Sequence, residues 1–388
     1  MSFTRPSVKT ELDRFYKTLS NSSDSFESIS KSAFTQARRK LKPEAFIELA
    51  QAQLSYFQDH APNKKTWKNK RVIAIDGSLL VLPYSEELST SFGVMKNQKE
   101  LRVVGAKCSM AYDVCNELIL DASIGPRKSC EKELAVNHLN QLCPQTDILV
   151  FDRGYPALWL MGLLEKRGFK YCFRLSTAWK DAVSSVSGNE TDIDWSGKRR
   201  SDKDLGKLRE YNLPLEICGL RLVSIELSTG EKEVLATNLT DRSNFDIDTL
   251  KELYHLRWGV EESYKMLKQV AQVEYFTGKT VLAIKQDFYS RIFTLNMASM
   301  VATQGLYKHK QEKEKKNKYK VKPNKTQVLA KTKDFLIEIF YTVNPRKLLE
   351  QMIKLLEKCF EIIRPNRSFP RPNTATRRHH KHTNSKGV

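Results

Sequence analysis

The chain has 388 residues, 40% of them hydrophobic, which is enough to fill the cores of two or three domains and excludes disorder of the whole chain. Its 65 Lys and Arg against 45 Asp and Glu give a net charge of +20. No stretch reaches the roughly 18 apolar residues of a membrane-spanning helix, and the first residues lack the apolar centre of a signal peptide. The seven cysteines include no C-x-x-C pair, so we expect reduced thiols in an intracellular protein.

Two segments carry most of the excess charge. Nine lysines and two glutamates lie between Lys308 and Lys325, and seven basic residues without any acid lie between Arg364 and Val388. Runs of this kind are commonly solvated or disordered. The functional alternatives are nucleic acid, since each cation that neutralises a phosphate releases a counterion, and a membrane surface. No basic amphipathic helix accompanies the runs, so nucleic acid is the favoured partner and a membrane is not expected.

Residues 1–70 are predicted to be helical. Apolar spacing indicates one helix that begins near residue 33 and a second that begins after Pro43. Three basic residues, Arg38, Arg39 and Lys40, lie at the junction between them. The pair of helices is compatible with a small DNA-binding unit and equally with a helical hairpin that packs against the next domain.

From residue 71 the pattern changes to strands, with apolar or alternating runs at 72–75, 79–82, 103–111 and 118–120. A helix over 131–142, a buried strand over 148–151, a helix over 157–167 and a strand over 171–175 follow. This order predicts a mixed α/β sheet. Residues 176–244 look like a β-rich insertion that contains the basic cluster Lys198, Arg199 and Arg200. Helices over 245–270, 285–307, 326–341 and 345–362 complete the chain before a basic tail.

Two acids follow buried strands. Asp76 ends the run Val-Ile-Ala-Ile, and Asp152 ends the run Ile-Leu-Val-Phe. In open α/β sheets the carboxyl ends of central strands are where sites form, and a carboxylate there needs a partner or a metal. An acid in such a position is, taken alone, more often a turn former or a helix cap, but two of them in one sheet favour a site.

A third acid is indicated by helix geometry. In the helix over 245–270, Tyr254, Arg257, Glu261 and Lys268 fall within about 60° of one another at about 100° per residue. These four side chains therefore share one edge, beside an apolar stripe. A solvated stripe with Arg257 and Glu261 as a surface ion pair is the alternative interpretation.

Three carboxylates without nearby Cys or His ligands suit a hard cation such as Mg²⁺ or Mn²⁺. Catalysis would then be of the two-metal kind, in which two ions about 3.5–4 Å apart activate a water or a 3′-hydroxyl and stabilise the leaving oxygen. The sequence has no Gly-x-Ser-x-Gly elbow, no phosphate-binding Gly-rich loop and no His-Glu-x-x-His motif. Phosphoryl transfer by metal ions is therefore the predicted chemistry.

The spacing of Tyr254, Arg257, Glu261 and Lys268 resembles the Tyr-Arg-Glu-Lys motif of the DDE transposases of bacterial insertion sequences, in the family named after insertion sequence four. Ile-Asp76-Gly-Ser and Asp152-Arg-Gly-Tyr are similar to the motifs around that family's two catalytic aspartates, and residues 32–41 resemble its N-terminal region. The resemblance covers roughly residues 30–300 in the right order.

The resemblance implies a ribonuclease H-like catalytic domain in which Asp76, Asp152 and Glu261 are the catalytic residues and bind two Mg²⁺ or Mn²⁺ ions. It also implies that Tyr254, Arg257 and Lys268 contact DNA phosphates. The expected domains are a helical DNA-binding region (1–70), the catalytic domain (71–175 and 245–305), the insertion (176–244) and a basic helical region with a disordered tail (306–388).

The resemblance further implies a transposase that cuts transposon ends and joins 3′-hydroxyls to target DNA, acting as a homodimer on paired double-stranded ends in the bacterial cytoplasm, associated with the nucleoid. A nuclease of the same fold without strand transfer and a non-catalytic DNA-binding derivative are the alternatives. Relatives place a Trp in the insertion that stacks on a flipped base, but residues 232–239 contain none. Trp179 and Trp195 are predicted to be core residues instead.

Overall fold

The computed structural model of the chain describes residues 8–20, 29–96, 102–196, 201–226, 230, 232–313, 320–339 and 342–363. The chain divides into two compact units. The first combines Met1–Asn63, Leu82–Ser89 and Val270–Val388, and the second combines Lys64–Val81 and Thr90–Gln269. The basic cluster Lys198, Arg199 and Arg200, part of the lysine-rich run (314–319) and the predicted tail (364–388) lie outside the described residues.

Helices and strands alternate along most of the described chain. The helices are α1 (Val8–Ser20), α2 (Lys31–Arg39), α3 (Glu44–His60), α4 (Glu86–Phe92), α5 (Glu131–His138), α6 (Leu158–Lys166), α7 (Lys180–Ser184), α8 (Asp202–Glu210), α9 (Ile247–Leu256), α10 (Trp258–Lys265), α11 (Val281–Lys313), α12 (Lys325–Ile339) and α13 (Pro345–Glu357). The strands are β1 (Arg71–Leu82), β2 (Val94–Lys96), β3 (Arg102–Asp113), β4 (Leu118–Pro126), β5 (Asp147–Phe151), β6 (Lys170–Arg174), β7 (Glu190–Trp195), β8 (Ile217–Glu226), β9 (Lys232–Thr237), β10 (Val321–Pro323) and β11 (Phe360–Ile362).

A mixed sheet forms the centre of the second unit. Its strand order is β2-β3-β1-β5-β6-β9-β8-β7, and β4 also pairs with β3. Strands β1, β5 and β6 run parallel, whereas β4 is antiparallel to β3 and β9 is antiparallel to both β6 and β8. The mixed α/β sheet with flanking helices that the sequence predicts is confirmed.

The parallel strands lie in the core because their sequences are apolar on both faces. All five residues of β5 are buried, and helix α6 is buried from Leu158 to Leu164. The rings of Phe151 on β5 and Phe173 on β6 stack with centroids 4.5 Å apart. This packing fixes the central strands that position the predicted acids.

The predicted insertion is continuous with the sheet. Residues 176–244 contribute β7, β8 and β9, and β9 hydrogen-bonds to β6 with Phe173 opposite Ala236. The short helices α7 and α8 also belong to this segment. The boundaries that we gave for the four domains remain predictions about the division of function.

The first unit is mainly helical. Helix α11, 33 residues long, packs against α3, α12 and α13. The predicted helix over 345–362 ends at Glu357, and residues 360–362 instead form β11, which pairs antiparallel with β10. These two three-residue strands lie far apart in sequence, so local periodicity could not indicate their pairing.

The sequence predicted neither a membrane-spanning helix nor disulfide bonds. None of the described helices combines the length and apolar character needed to cross a membrane. All seven cysteines are free, as the absence of paired spacings predicted.

Candidate active site

Asp76 and Asp152 lie on neighbouring strands of the sheet. Asp152 directly follows β5, as predicted. Asp76 does not end its strand, because the runs predicted at 72–75 and 79–82 form one continuous strand, β1, that extends to Leu82. Strands β1 and β5 are parallel, with Ile75 opposite Phe151, so the next residues are the two aspartates. Burial raises the pKa of Asp76 from its ordinary 3.8 to about 6, and the charge of Asp152 adds to this increase. The backbone N–H of Gly77, which donates to Asp76 Oδ1 at 2.8 Å, acts in the opposite direction. The strand register therefore brings two partly desolvated carboxyl groups together.

The third acid lies on a helical segment that is interrupted. The helix predicted over 245–270 is divided at Arg257 into α9 and α10. The N–H of Arg257 bonds to the carbonyl of Tyr254, and the N–H of Val260 bonds to that of Arg257, each at 3.1 Å. These three-residue bonds tighten the chain at the junction. Asp246 caps the start of α9 by accepting from the N–H of Thr249.

Arg257 lies among the acids. Its side chain is only 4% exposed, and its Nη2 donates to Glu261 Oε1 at 3.0 Å. The guanidinium also lies 5.6 Å from the ring centre of Tyr254 and 5.1 Å from that of Trp258. Burial opposes its charge, but Tyr254, Asp152 and Glu261 raise the pKa of Arg257 overall. The alternative interpretation as a solvated surface pair does not fit a buried arginine.

Tyr254 joins the helix to the second aspartate. It is buried, and its hydroxyl donates to Asp152 Oδ1 at 3.3 Å. Burial raises the pKa of Tyr254 well above its ordinary value, so the phenol stays protonated and remains a donor. The structure therefore brings Tyr254, Arg257 and Glu261 to the same place as the two aspartates.

Lys268 lies on a π-helical turn, Met266–Val270, that follows α10. Its Nζ donates to Ser78 Oγ at 2.7 Å and to the carbonyl of Leu79 at 2.8 Å, both on β1. Turns of this type occur frequently at functional sites. Because an ammonium group has three donors, Lys268 retains one N–H beyond these two bonds.

Tyr264 has a role that the sequence did not reveal. Its hydroxyl donates to the backbone carbonyl of Asp76 at 2.8 Å. The hydroxyl of Ser109 lies 3.4 Å from the same carbonyl, and Ser109 contacts the buried His138, which pairs with Asp121. A tyrosine at helical spacing gives no signal that separates packing from such a bond.

Glu131 and Lys107 were also missed. They form an ion pair between the first turn of α5 and strand β3. The Glu131 side chain lies against Gly77, where an added Cβ would come within 3.0 Å of its Cδ. A glutamate at the start of a helix is common for reasons of helix stability, so the sequence offered no reason to single it out.

The acids fit a divalent cation by their chemistry. Their donors are all carboxylate oxygens, which Mg²⁺ and Mn²⁺ prefer, and the charge of Asp152 acts on the partly buried Asp76. Among the residues that the structure describes, however, no three His, Cys, Asp or Glu side chains are grouped closely enough to hold a metal ion. Glu261 is paired with Arg257 in this arrangement.

The three basic residues predicted to lie between the N-terminal helices differ in how exposed their side chains are. Arg38 is half-buried and donates to Gln286 Oε1 at 2.6 Å and to Asp287 Oδ1 at 2.7 Å, so its guanidinium anchors α2 to α11. Arg39 and Lys40 are exposed. Only these two of the three have free access to a ligand in the first unit.

The two tryptophans of the insertion pack together. The rings of Trp179 and Trp195 stack with centroids 5.2 Å apart, against the main hydrophobic core of the second unit. This contact agrees with the prediction that they are core residues.

Comparison with known proteins identifies relatives of this chain. The family described as "Transposase DDE domain" matches residues 67–297. Transposase InsG for insertion sequence element IS4 of Escherichia coli (strain K12) is 24% identical over 278 residues, which cover 69% of this chain and 60% of that protein. The chain thus spans less than two thirds of this relative. A cryo-EM structure of the piggyBac transposase synaptic complex with hairpin DNA has 11% identity and a TM-score of 0.45, over 92% of this chain and 73% of that chain.

Proposed function

The chain belongs to the DDE transposase family, and on this basis we propose that it is a DNA transposase that cuts transposon ends and joins the 3′-hydroxyls to target DNA. The observation that supports the proposal is the register of β1 and β5, in which Ile75 lies opposite Phe151 so that Asp76 and Asp152 follow on adjacent strands, together with the bond from Tyr254, on the segment that bears Glu261, to Asp152. The ribonuclease H-like class that we predicted agrees with this mixed sheet.

Members of this family generally use divalent metal ions. We infer that Asp76, Asp152 and Glu261 hold two of them, Mg²⁺ or Mn²⁺. When bound, such ions supply Lewis-acid activation of the attacking oxygen and stabilisation of the leaving oxygen. For Glu261 to take part, its carboxylate must exchange the contact with Arg257 for the shared site.

The remaining residues of the motif would bind and orient the DNA backbone. Arg257 and Lys268 provide cationic donors on the segment that bears Glu261, and a phosphate that attracts Arg257 would release Glu261. Tyr254 keeps its proton and donates to Asp152, which favours the ionised carboxylate. Arg39 and Lys40, together with the cluster Lys198, Arg199 and Arg200, would add contacts to phosphates away from the reacting bond.

The partner in this proposal is double-stranded DNA, in the form of transposon terminal repeats and target sites. The net charge of +20 supports a polyanionic partner. A homodimer that holds paired ends, and a cytoplasmic location associated with the nucleoid, complete the proposal.

The decisive experiment is a cleavage assay on a supercoiled plasmid that carries the terminal sequences flanking the chain's own gene. The wild-type chain is compared with Glu261→Gln in Mg²⁺ and in EDTA. A matched control is Glu262→Gln, because the neighbouring glutamate is exposed and pairs with Lys265 at the surface. We expect metal-dependent breaks at the ends for the wild type and for Glu262→Gln, and less than a few per cent of that activity for Glu261→Gln.

The products separate the alternative functions. Breaks followed by joining to a second plasmid support a transposase, whereas breaks without joining indicate a nuclease of the same fold. DNA binding without cleavage by the wild type would indicate a non-catalytic derivative. Full activity of Glu261→Gln would refute the assignment of the site.

A further inference from the structure

Helix α10 begins very close to the turn that joins β3 to β4. Gly259 is its second residue, and a Cβ added there would lie 3.2 Å from both Cβ and Cγ1 of Val114 and 3.7 Å from Cε1 of Tyr112. Carbon atoms in favourable contact are about 3.5–4.0 Å apart. The absence of a side chain at Gly259 therefore lets the helix approach the turn a few tenths of an ångström closer than any other residue would.

The turn cannot easily move away from the helix, because hydrogen bonds hold it on several sides. The backbone N–H of Val114 donates to the carbonyl of Val72 on β1 at 3.0 Å. The buried Asp113 accepts the backbone N–H of Asn116 at 3.1 Å and its side-chain amide at 2.7 Å. Asn116 also donates to the carbonyl of Lys65 and accepts its N–H, at 2.9 and 2.8 Å. An added methyl group on α10 would therefore displace the helix rather than the turn.

Glu261 lies two residues beyond this contact, in the same first turn of α10. The neighbouring Val260 is fully buried. Further along the helix, the hydroxyl of Tyr264 donates to the carbonyl of Asp76 at 2.8 Å. Helix α10 thus meets the turn at Gly259 and strand β1 at Tyr264, with Glu261 between these two contacts. A shift of the helix away from the turn would carry the Glu261 carboxylate with it.

We propose that Gly259 is a positioning residue for the third acid. Its close contact with Val114 sets where Glu261 lies relative to the two aspartates, and so how tightly the acids bind a divalent cation. The proposal rests on the proposed function, in which Glu261 holds such an ion. Gly259 lies outside the Asp-Asp-Glu set and outside the Tyr-Arg-Glu-Lys motif, and it acts through the helix alone.

A glycine without such a role makes a different prediction. Alanine is a better helix former than glycine, so Gly259→Ala would then stabilise α10 and leave the site unchanged. The matched control is Gly206→Ala in α8, where an added Cβ meets no atom within 4 Å. This control isolates helix propensity from contact. If the contact positions Glu261, only Gly259→Ala should impair the site.

The first measurement is a titration of the full chain with Mn²⁺, followed by the loss of the free-ion signal in electron paramagnetic resonance. We expect Gly259→Ala to weaken Mn²⁺ binding by about tenfold, because a misplacement of 1 Å can cost about a hundredfold in function and the displacement here is smaller. In a chain that already carries Glu261→Gln, Gly259→Ala should weaken binding no further, since the ligand that it positions is gone. Gly206→Ala should leave the affinity unchanged.

The second measurement is the rate of cleavage of the transposon-end plasmid at saturating DNA and Mg²⁺. Gly259→Ala should lower this rate by about tenfold while end binding in EDTA stays within about twofold. Val114→Gly removes both atoms that an alanine at residue 259 would meet. The double variant Gly259→Ala/Val114→Gly should therefore recover to within about threefold of Val114→Gly alone, which a general loss of folding would not allow.

The outcomes separate this inference from the proposed function. Wild-type Mn²⁺ affinity and cleavage in Gly259→Ala, no recovery by Val114→Gly, or an added loss of affinity in the Glu261→Gln chain would each overturn the role of Gly259. The proposed function stands in those cases as long as Glu261→Gln abolishes cleavage. Full cleavage by Glu261→Gln, or no binding of Mn²⁺ by a wild-type chain that also fails to cleave, would overturn both.

Discussion

The charged carboxylate of Asp76 should lower the free energy of unfolding of the protein. Burial raises its pKa from 3.8 to about 6, a difference of about two units, or about 3 kcal/mol at most. Because the folded pKa lies above the unfolded one, the folded state binds the proton more tightly. The contribution of the protonated Asp76 to stability is fully present below about pH 4 and is lost as the pH rises through about 6. At neutral pH the charged carboxylate therefore destabilises the protein.

Asp76→Asn removes this penalty while its amide oxygen can still accept the N–H of Gly77. We expect the variant to exceed the wild type by up to about 3 kcal/mol in free energy of unfolding at about pH 8, and by about 1 kcal/mol at about pH 4.5. For a unit of this size, 3 kcal/mol corresponds to an increase in Tm of roughly 6–12 °C. Thermal and urea unfolding in EDTA measure both values.

The control for this prediction is Asp248→Asn, since Asp248 is an exposed aspartate in the first turn of α9. Its change in stability should be small at both pH values. If Asp76→Asn is less stable than the wild type at about pH 8, or if its gain does not depend on pH, the reasoning from burial is refuted.

Two further predictions concern a cation near the acids and an ion pair in the core. Lys268→Ala should weaken binding to transposon ends and reduce the slope of log binding constant against log salt concentration by about 0.9, the value for one phosphate contact. The control Lys265→Ala, at an exposed lysine, should change the slope less. An unchanged slope for Lys268→Ala would contradict its contact with a phosphate. Asp147→Ala should lower the free energy of unfolding by about 3–5 kcal/mol in urea titrations, because Asp147 is buried and binds Arg71 through both oxygens at 2.7 Å. A loss below about 1 kcal/mol would show that Arg71 finds another partner.

The sequence indicated Asp76 and Asp152 because their surroundings are local. Four apolar residues followed by Asp predict a buried strand that ends in a carboxylate, which is correct for β5, whereas β1 continues past Asp76 to Leu82. The two strands are parallel, with Ile75 opposite Phe151. Helical spacing likewise placed Tyr254, Arg257 and Glu261 on one edge. It could not show that the helix is tightened at Arg257, because α-helical periodicity hardly changes across two three-residue hydrogen bonds.

The surroundings of other polar residues depend on contacts between distant segments. Arg38 belongs to a basic run that looks like a DNA contact, yet it is bound by residues almost 250 positions later in the chain. Glu131 has no local feature beyond its place in the first turn of a helix. Periodicity reports which face of an element is apolar, not which partner a polar side chain will meet.

The repulsion between the acids has a structural consequence for the rest of the site. Carboxylates held together without a cation tend to separate, so their backbone must be fixed by other bonds. The hydroxyl of Tyr264 holds the carbonyl of Asp76, and Lys268 holds that of Leu79, three residues further along β1. Both anchors come from the segment that carries Glu261, so the contacts that resist the repulsion also set the distance between the third acid and the first two. A residue of this segment can therefore affect cleavage without contacting DNA or metal.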